Sequence, residues 1–198
     1  MNNMLSPFDF TWQEIKEIAI SLAVMTFVFA YPEILTSPVF ILNSLLGVGI
    51  AFFGHEMAHR FVARKRGFYS AYRMWPQGLL FAIVLTLVTN GNFVFAAPGA
   101  VIFAGYWMFR NPTIDDIGII GIAGVVFNIA AMYFSLSLYF WTGFPLFSFI
   151  GTINGWLAIF NLVPFGPLDG RKVMDWNRKI WLAALALAVT GFAMLLFF

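Results

Sequence analysis

Long apolar runs separated by short polar stretches dominate the pattern of this 198-residue chain. A helix of about 20 apolar residues is long enough to cross the ~30 Å hydrocarbon core of a bilayer. The pattern predicts full spans over residues 12–31, 38–66, 117–141, 145–163 and 178–198. We therefore expect an all-α polytopic membrane protein with five to six transmembrane helices.

One region breaks the pattern after the second span. Residues 78–89 are apolar, but they are too few for a helix to cross the hydrocarbon core. The turn signal Thr89-Asn90-Gly91-Asn92 follows, and the Phe and Val residues of 93–106, interrupted by Pro98-Gly99, favour extended chain. Residues 77–106 are therefore predicted to form a small re-entrant or β-like element before the next full span. Two ordinary tilted spans are the alternative.

The composition fits one membrane-embedded unit over residues 1–198. Hydrophobic residues make up 61% of the chain and charged residues 10%, which excludes a water-soluble domain of this size. The net charge is only +2 and no basic patch is present, so nothing indicates nucleic-acid binding. We expect the first span within 1–36, the second within 37–67, the short element at 77–106, the central spans within 117–170 and the final span within 171–198.

The second span carries His55-Glu56-Met57-Ala58-His59, an H-E-x-x-H motif in apolar surroundings. Residues four apart lie on one face of a helix, so His55 and His59 can offer two imidazole nitrogens to one zinc ion, with Glu56 beside it. They are the only two histidines of the chain. Such groups are costly inside a membrane segment unless they face a cavity, a partner or an ion. The motif therefore indicates a hydrolytic zinc site.

A catalytic zinc ion takes three protein ligands, so one donor is still missing. The chain has no cysteine and no third histidine, which leaves carboxylates. Acidic residues other than Asp169 and Asp175 lie in the motif, near the ends of the first span or at a helix start. Asp175 lies among basic residues, as in a surface ion pair, whereas Asp169 follows a proline-broken segment and precedes Gly170, which lets backbone approach closely. We predict His55, His59 and Asp169 as the ligands of one Zn²⁺ ion.

Basic residues cluster where the second span ends and where the chain resumes after Asp169. By the positive-inside rule, both places face the cytoplasm. We therefore expect the zinc site to lie within the bilayer, towards its cytoplasmic side. The residues concerned are Arg60, Arg64, Lys65 and Arg66 in the first cluster and Arg171 and Lys172 in the second.

A stripe of small residues runs along the predicted helix 117–141. Gly118, Gly121 and Gly124 are three residues apart, which allows another helix to pack closely. Asn128 lies four residues beyond Gly124, on much the same face. An Asn within a span is usually a hydrogen-bonding contact between helices, so its position alone does not place it in the site.

Together these motifs resemble the site-2 protease family of intramembrane zinc metalloproteases, in the compact prokaryotic form without a PDZ domain. The resemblance covers about residues 40–175. It rests on H-E-x-x-H in an apolar helix, Gly124-x-x-x-Asn128 in a central span, and Asn161-x-x-Pro164-x-x-Pro167-Leu168-Asp169-Gly170 in a later one. It implies cleavage of a transmembrane or membrane-proximal stretch of another protein, as in regulated intramembrane proteolysis, in the cell membrane of a prokaryote.

The roles of individual residues follow as a hypothesis. Glu56 would act as the general base on a zinc-activated water and then protonate the leaving amine. Asn161, with Asn128 as a second candidate, would donate a hydrogen bond to the substrate or its oxyanion. Extended chain at 93–103 could pair with an unwound substrate as an added strand, interrupted at Pro98. A membrane zinc hydrolase acting on lipid and a non-enzymatic metal-binding membrane protein are the alternatives.

Overall fold

The computed structural model describes residues 8–105 and 111–197. Within these ranges the chain is mainly helical, and two strands form the one sheet. In chain order the elements are α1 (Trp12–Ala30), α2 (Val39–Val48), α3 (Gly54–Lys65), β1 (Phe68–Met74), α4 (Pro76–Val88), β2 (Gly99–Gly105), α5 (Ile114–Thr142), α6 (Pro145–Leu162), α7 (Asp169–Trp176) and α8 (Arg178–Phe197). A π-helical segment, Gly49–Phe53, joins α2 to α3 without a break.

Four described helices are long and apolar enough to cross a membrane, which confirms the all-α polytopic class. They are Val39–Lys65, Ile114–Thr142, Pro145–Leu162 and Arg178–Phe197. The predicted first span forms α1, but this helix is not among the four. It carries Glu14, Lys16 and Glu17 near its start, and these charges lower its hydropathy. Among the described residues, four helices therefore meet the length and composition of a span, where the sequence predicted five to six.

The predicted element at 77–106, which follows the motif helix α3, consists of a short helix and then a strand. The 13-residue helix α4 ends at Val88, a turn follows, and the chain then runs extended into β2. The β-like element is thus confirmed, while the alternative of two tilted spans is wrong because the second piece is not helical. Position 106, the last of the predicted element, lies outside the described residues. Sequence reasoning did not find β1, with which β2 pairs antiparallel.

The outer edge of β1 is closed by carboxylates from α1. The backbone N–H of Tyr72 donates to Glu14 Oε1 at 2.9 Å, and that of Met74 donates to Glu17 Oε2 at 3.0 Å. These two acidic residues, expected near the end of a span, therefore hold the first helix against the sheet. Because backbone groups of a strand point alternately to its two sides, the residues between them face β2.

A buried ion pair joins α1 to the motif helix. Arg60 Nη1 donates to Glu14 Oε1, and both side chains are fully buried. Arg60 also donates to the carbonyl of Asp9, and its guanidinium lies over the ring of Phe10. The sequence grouped Arg60 with the basic residues at the cytoplasmic end of the second span, and the structure places its side chain inside the protein. Its neighbour Arg64 is buried as well.

Two glycines of the α5 stripe, Gly118 and Gly121, pack closely against α7. A Cβ at Gly118 would lie 2.1 Å from the Trp176 ring, and one at Gly121 would lie 3.2 Å from Lys172 Cβ. Contacts this close are available only to glycine, so α7 lies directly on α5. Since α7 begins with Asp169, this packing fixes where that carboxylate meets the motif helix.

Candidate metal centre

The end of α6 and the start of α7 bring Asp169 to the site. Pro164 cannot continue the helix, and α6 ends at Leu162. At the first turn of α7, a Cβ on Gly170 would lie 2.2 Å from the Leu162 carbonyl oxygen. Glycine is therefore required for the chain to double back this tightly, as the sequence indicated. The turn presents the Asp169 carboxylate to the face of α3 that carries the two histidines.

The structure brings the three predicted ligands together in a buried cluster. His55 Nε2 and His59 Nε2 lie 2.9 Å apart. Asp169 Oδ2 lies 3.1 Å from the first nitrogen and 2.9 Å from the second. All three side chains are buried. Residues 55 and 59 are one helical turn apart, which is why both rings reach the same point.

The outer hydrogen bonds of the two imidazoles define which nitrogen is free to bind a metal. His55 Nδ1 lies 2.6 Å from Asn128 Oδ1, and His59 Nδ1 lies 2.6 Å from the carbonyl oxygen of Ile120. Both partners are acceptors, because the Asn128 amide nitrogen is used by Ala51 O and Asn154 Oδ1. Each Nδ1 therefore carries the hydrogen, and each Nε2 offers a lone pair.

Three acceptors thus converge with no donor among them, an arrangement that a cation stabilises. Imidazole nitrogen and carboxylate oxygen are ligands that zinc prefers. Gly124 supplies the room: a Cβ at this position would lie 2.5 Å from His59 Nε2 and 2.6 Å from His55 Nε2. Any side chain there would occupy the space that these lone pairs face. The donor set and the space beside it therefore fit a zinc ion.

Glu56 lies beside the cluster and contacts the sheet. Its side chain is buried, and its Oε2 accepts a hydrogen bond from the backbone N–H of Val101 at 3.0 Å. The carboxylate lines a cavity of about 350 Å³ together with both histidines and Asp169. The cavity wall also includes residues 96–103 and Asn161. The site therefore has space for a segment of another molecule.

The strand β2 presents its outer edge to this cavity. Arg73 pairs with Ala100, and Tyr72 pairs with Val101, in the antiparallel register. The backbone N–H groups of Tyr72 and Met74 face α1. The hydrogen bonds between β1 and β2 are therefore made by the alternate residues of β1, such as Arg73. By the same alternation, residues 99, 101 and 103 direct their backbone groups away from β1. The hydrogen bond from the Val101 N–H to Glu56 shows that these groups point towards the site.

The two asparagines occupy different positions. Asn161 lines the cavity, and its amide donates to the Leu157 carbonyl of its own helix at 3.0 Å. Asn128 is fully buried behind His55 and uses both its oxygen and its amide nitrogen on protein groups. A hydrogen bond from Asn128 to a substrate, the second candidate from the sequence, therefore stays a prediction, and it would have to replace one of these contacts. In the structure Asn128 orients His55, a candidate metal ligand, as groups that hydrogen-bond metal-binding histidines commonly do.

Two contributions were missed by sequence reasoning. Lys172 donates from Nζ to Asp169 Oδ1 at 2.8 Å and lines the cavity. Residues three apart share a helix face, so the spacing from Asp169 could have revealed this pair. The backbone carbonyl of Ile120, which orients His59, leaves no signal in the sequence because any residue carries one. Asp175 forms the surface ion pair that was expected, with Arg171 at 2.6 Å.

Lys172 is a cation in this setting. Burial alone would lower the pKa of its ammonium group, but the attraction of Asp169, their hydrogen bond and the attraction of Glu56 outweigh that effect. The pKa of Lys172 therefore lies above its ordinary value. The positive charge partly balances the two carboxylates at the cavity.

Comparison with known proteins assigns the chain to a family. It is 39% identical over 200 residues to a protein of Methanocaldococcus jannaschii named "Putative zinc metalloprotease MJ0611". The match covers 98% of this chain and 100% of the relative. The chain belongs to this family of zinc metalloproteases. No family model and no solved structure matches it.

In this zinc metalloprotease, His55, His59 and Asp169 form the candidate metal centre within the described part of the chain. Their ligand atoms all lie within 4.8 Å of one another. The family and the geometry agree on the same metal, because the cluster consists of zinc-type ligands with a carboxylate, Glu56, beside them.

Proposed function

We propose that this metalloprotease is an intramembrane endopeptidase of the site-2 protease type, which hydrolyses peptide bonds within or next to transmembrane segments of membrane proteins. One observation carries the proposal. His55, Glu56 and His59 lie on a helix that is long and apolar enough to cross a membrane, and the Asp169 carboxylate converges with the two imidazole nitrogens beside Glu56. A soluble protease would not hold its metal in such a segment.

The residues of the site have distinct tasks. Zinc, when bound, supplies the Lewis acidity that makes water a nucleophile at neutral pH. Glu56 accepts a proton from that water and delivers it to the nitrogen of the leaving amine. The Val101 N–H holds one oxygen of this carboxylate and orients the other. Asn161 lines the cavity and has a second amide hydrogen with which to bind a substrate carbonyl.

The strand edge favours a peptide as the substrate. A peptide bond inside a helix is protected by its own hydrogen bonds, so the segment to be cut must first unwind. The outward backbone groups of Gly99 and Phe103 could pair with the unwound segment as an added strand. Pro98 has no N–H, so this pairing would begin at Gly99. A lipid substrate would make no use of a row of backbone donors and acceptors.

We place the site towards the cytoplasmic side of a prokaryotic cell membrane. Lys65 ends the motif helix, Arg66 follows it, and Arg171 lies two residues after Asp169, so both ends near the site carry the positive charge that marks cytoplasmic ends. Cleavage there would release a fragment of the substrate into the cytoplasm, as regulated intramembrane proteolysis requires.

The Glu56→Gln variant tests the function in the full-length protein reconstituted with a transmembrane substrate. The amide cannot accept the proton, so cleavage should fall by about 100-fold or more. Zinc content, measured by elemental analysis, should stay at the wild-type level because Glu56 is not a ligand. Glu33→Gln, which changes an exposed acidic residue in the same way, is the control.

Cleavage by Glu56→Gln at the wild-type rate would contradict the proposal. An equal loss of zinc would assign Glu56 a structural role instead. A lipid-ester assay run beside the peptide assay separates the two hydrolase functions. Hydrolysis of lipid alone, abolished by the same substitution, would favour the lipid alternative.

A further inference from the structure

The Asp169 carboxylate turns its two oxygens to different partners. Oδ2 faces the two imidazole nitrogens at 2.9 and 3.1 Å. Oδ1 instead accepts a hydrogen bond from Lys172 Nζ at 2.8 Å. From the sequence, Lys172 is expected only to mark the cytoplasmic surface. In the structure it is the cation that contacts a predicted metal ligand directly.

The position of Lys172 is fixed by two elements. Lys172 lies one turn beyond Asp169 on α7, so their side chains share a helix face. Its stem lies against Gly121 of α5, where a Cβ would come within 3.2 Å of Lys172 Cβ and 3.4 Å of its Cδ. The absence of a side chain at Gly121 forms the slot through which the stem passes. The ammonium group is thereby directed to Oδ1 at the edge of the cavity.

A carboxylate can bind a metal ion through one oxygen or through both. A catalytic zinc site needs a position that no protein group occupies, because water and substrate must bind there. If both oxygens of Asp169 turned to the metal, the second would compete for that position. The hydrogen bond to Oδ1 opposes this rotation.

We propose that Lys172 is a positioning residue that restricts Asp169 to binding through Oδ2 and so keeps one position of the metal open. The proposal rests on the proposed function, because it takes the three-ligand zinc site as given. Loss of Lys172 weakens zinc binding, since the hydrogen bonds that orient metal ligands typically contribute 10- to 100-fold in affinity. It also raises the number of ligand atoms that the protein gives to the metal.

The test compares full-length wild type with Lys172→Met, which keeps the stem and removes the charge, and with Lys172→Arg, which keeps a cationic donor. Arg171→Met is the matched control, because Arg171 is an exposed neighbour that pairs with Asp175 and does not contact the site. Zinc affinity is measured by competition with a chelator. Cobalt(II) is then substituted for zinc, and its visible spectrum reports the coordination number.

The expected result is a 10- to 100-fold loss of zinc affinity and a weaker, higher-coordinate cobalt spectrum in Lys172→Met. Lys172→Arg should largely restore both, and Arg171→Met should match wild type. Wild-type affinity and spectrum in Lys172→Met would overturn the inference. If that variant does not fold, Lys172→Gln takes its place with the same two outcomes. A wild-type protein that binds no zinc would instead overturn the proposed function.

Discussion

At the scale of single residues, the metal centre depends as much on an absent side chain as on its ligands. Gly124 lies on α5 against the nitrogens of both histidines, and a Cβ there would approach them to 2.5 and 2.6 Å. The surrounding backbone is helical, so glycine is not required by its conformation. Its function is to leave space where the ligands converge.

The Gly124→Ala variant should lose zinc. The added methyl group would take the space beside the two Nε2 atoms, so we expect zinc affinity to fall at least about tenfold, the lower end of effects seen around metal ligands. Elemental analysis of the purified variant gives the zinc content, and chelator competition gives the affinity. Gly49→Ala is the control, because a Cβ there meets nothing within 4 Å. Wild-type zinc binding by Gly124→Ala would show that the methyl group is tolerated.

The three residues of the candidate metal centre could be proposed from the sequence because the chain offers so few possible ligands. Two histidines, no cysteine and nine acidic residues left Asp169 as the best third donor once the helix ends had been assigned. The roles of Asn128 and Lys172 could not be predicted in this way. They depend on which atom of a ligand faces which helix, and that information exists only in the packed structure.

At the scale of elements, the two-stranded sheet lies along the cavity that contains the candidate metal centre, where the proposed substrate would bind. The β-like character of 93–106 was predicted from its composition and from Pro98-Gly99. The partner strand β1 was missed because Phe68–Met74 combines aromatic, small and basic residues without regular alternation. Its conformation is stabilised by β2 on one side and by Glu14 and Glu17 on the other, and neither contact is local in sequence.

If the substrate adds to the outer edge of β2, only every second residue of the substrate directs its N–H at this strand. Peptide substrates with a single N-methylated amide, moved one position at a time, should therefore show a period of two. Methylation at a position whose N–H points at β2 should slow cleavage by about fivefold or more, which is the effect of losing a hydrogen bond worth about 1 kcal/mol. Methylation at the positions between should have little effect. A uniform response along the peptide would contradict strand addition.

At the scale of the whole molecule, helices α5 and α6 set which surface the site faces. They are joined by a short turn at Gly143, and α6 leads directly to the segment that carries Asp169. The turn therefore lies at the opposite end of these helices from the metal centre. By the positive-inside rule, we propose that the end with Arg171 faces the cytoplasm.

The absence of native cysteine makes this orientation easy to measure. Arg171→Cys and Thr142→Cys place a single thiol at exposed positions at either end. A membrane-impermeant maleimide applied to intact cells should label position 142 and leave position 171 unlabelled. After the membrane is opened, both should react. Labelling of position 171 in intact cells would reverse the proposed orientation and place the site towards the outer face.

The carboxylates of Glu14 and Glu17, which contact β1, also determine at which edge the sheet can accept a further strand. A two-stranded sheet normally has two open edges, and an extended polypeptide segment can pair with either edge. Here Glu14 and Glu17 already accept hydrogen bonds from backbone N–H groups of β1, at the edge that lies away from the candidate metal centre. A polypeptide segment that paired with this edge would have to displace the carboxylates of Glu14 and Glu17. Glu14 is also paired with the buried guanidinium of Arg60. If the proposed substrate pairs with the sheet, docking at this edge is thus disfavoured before any of its side chains is recognised.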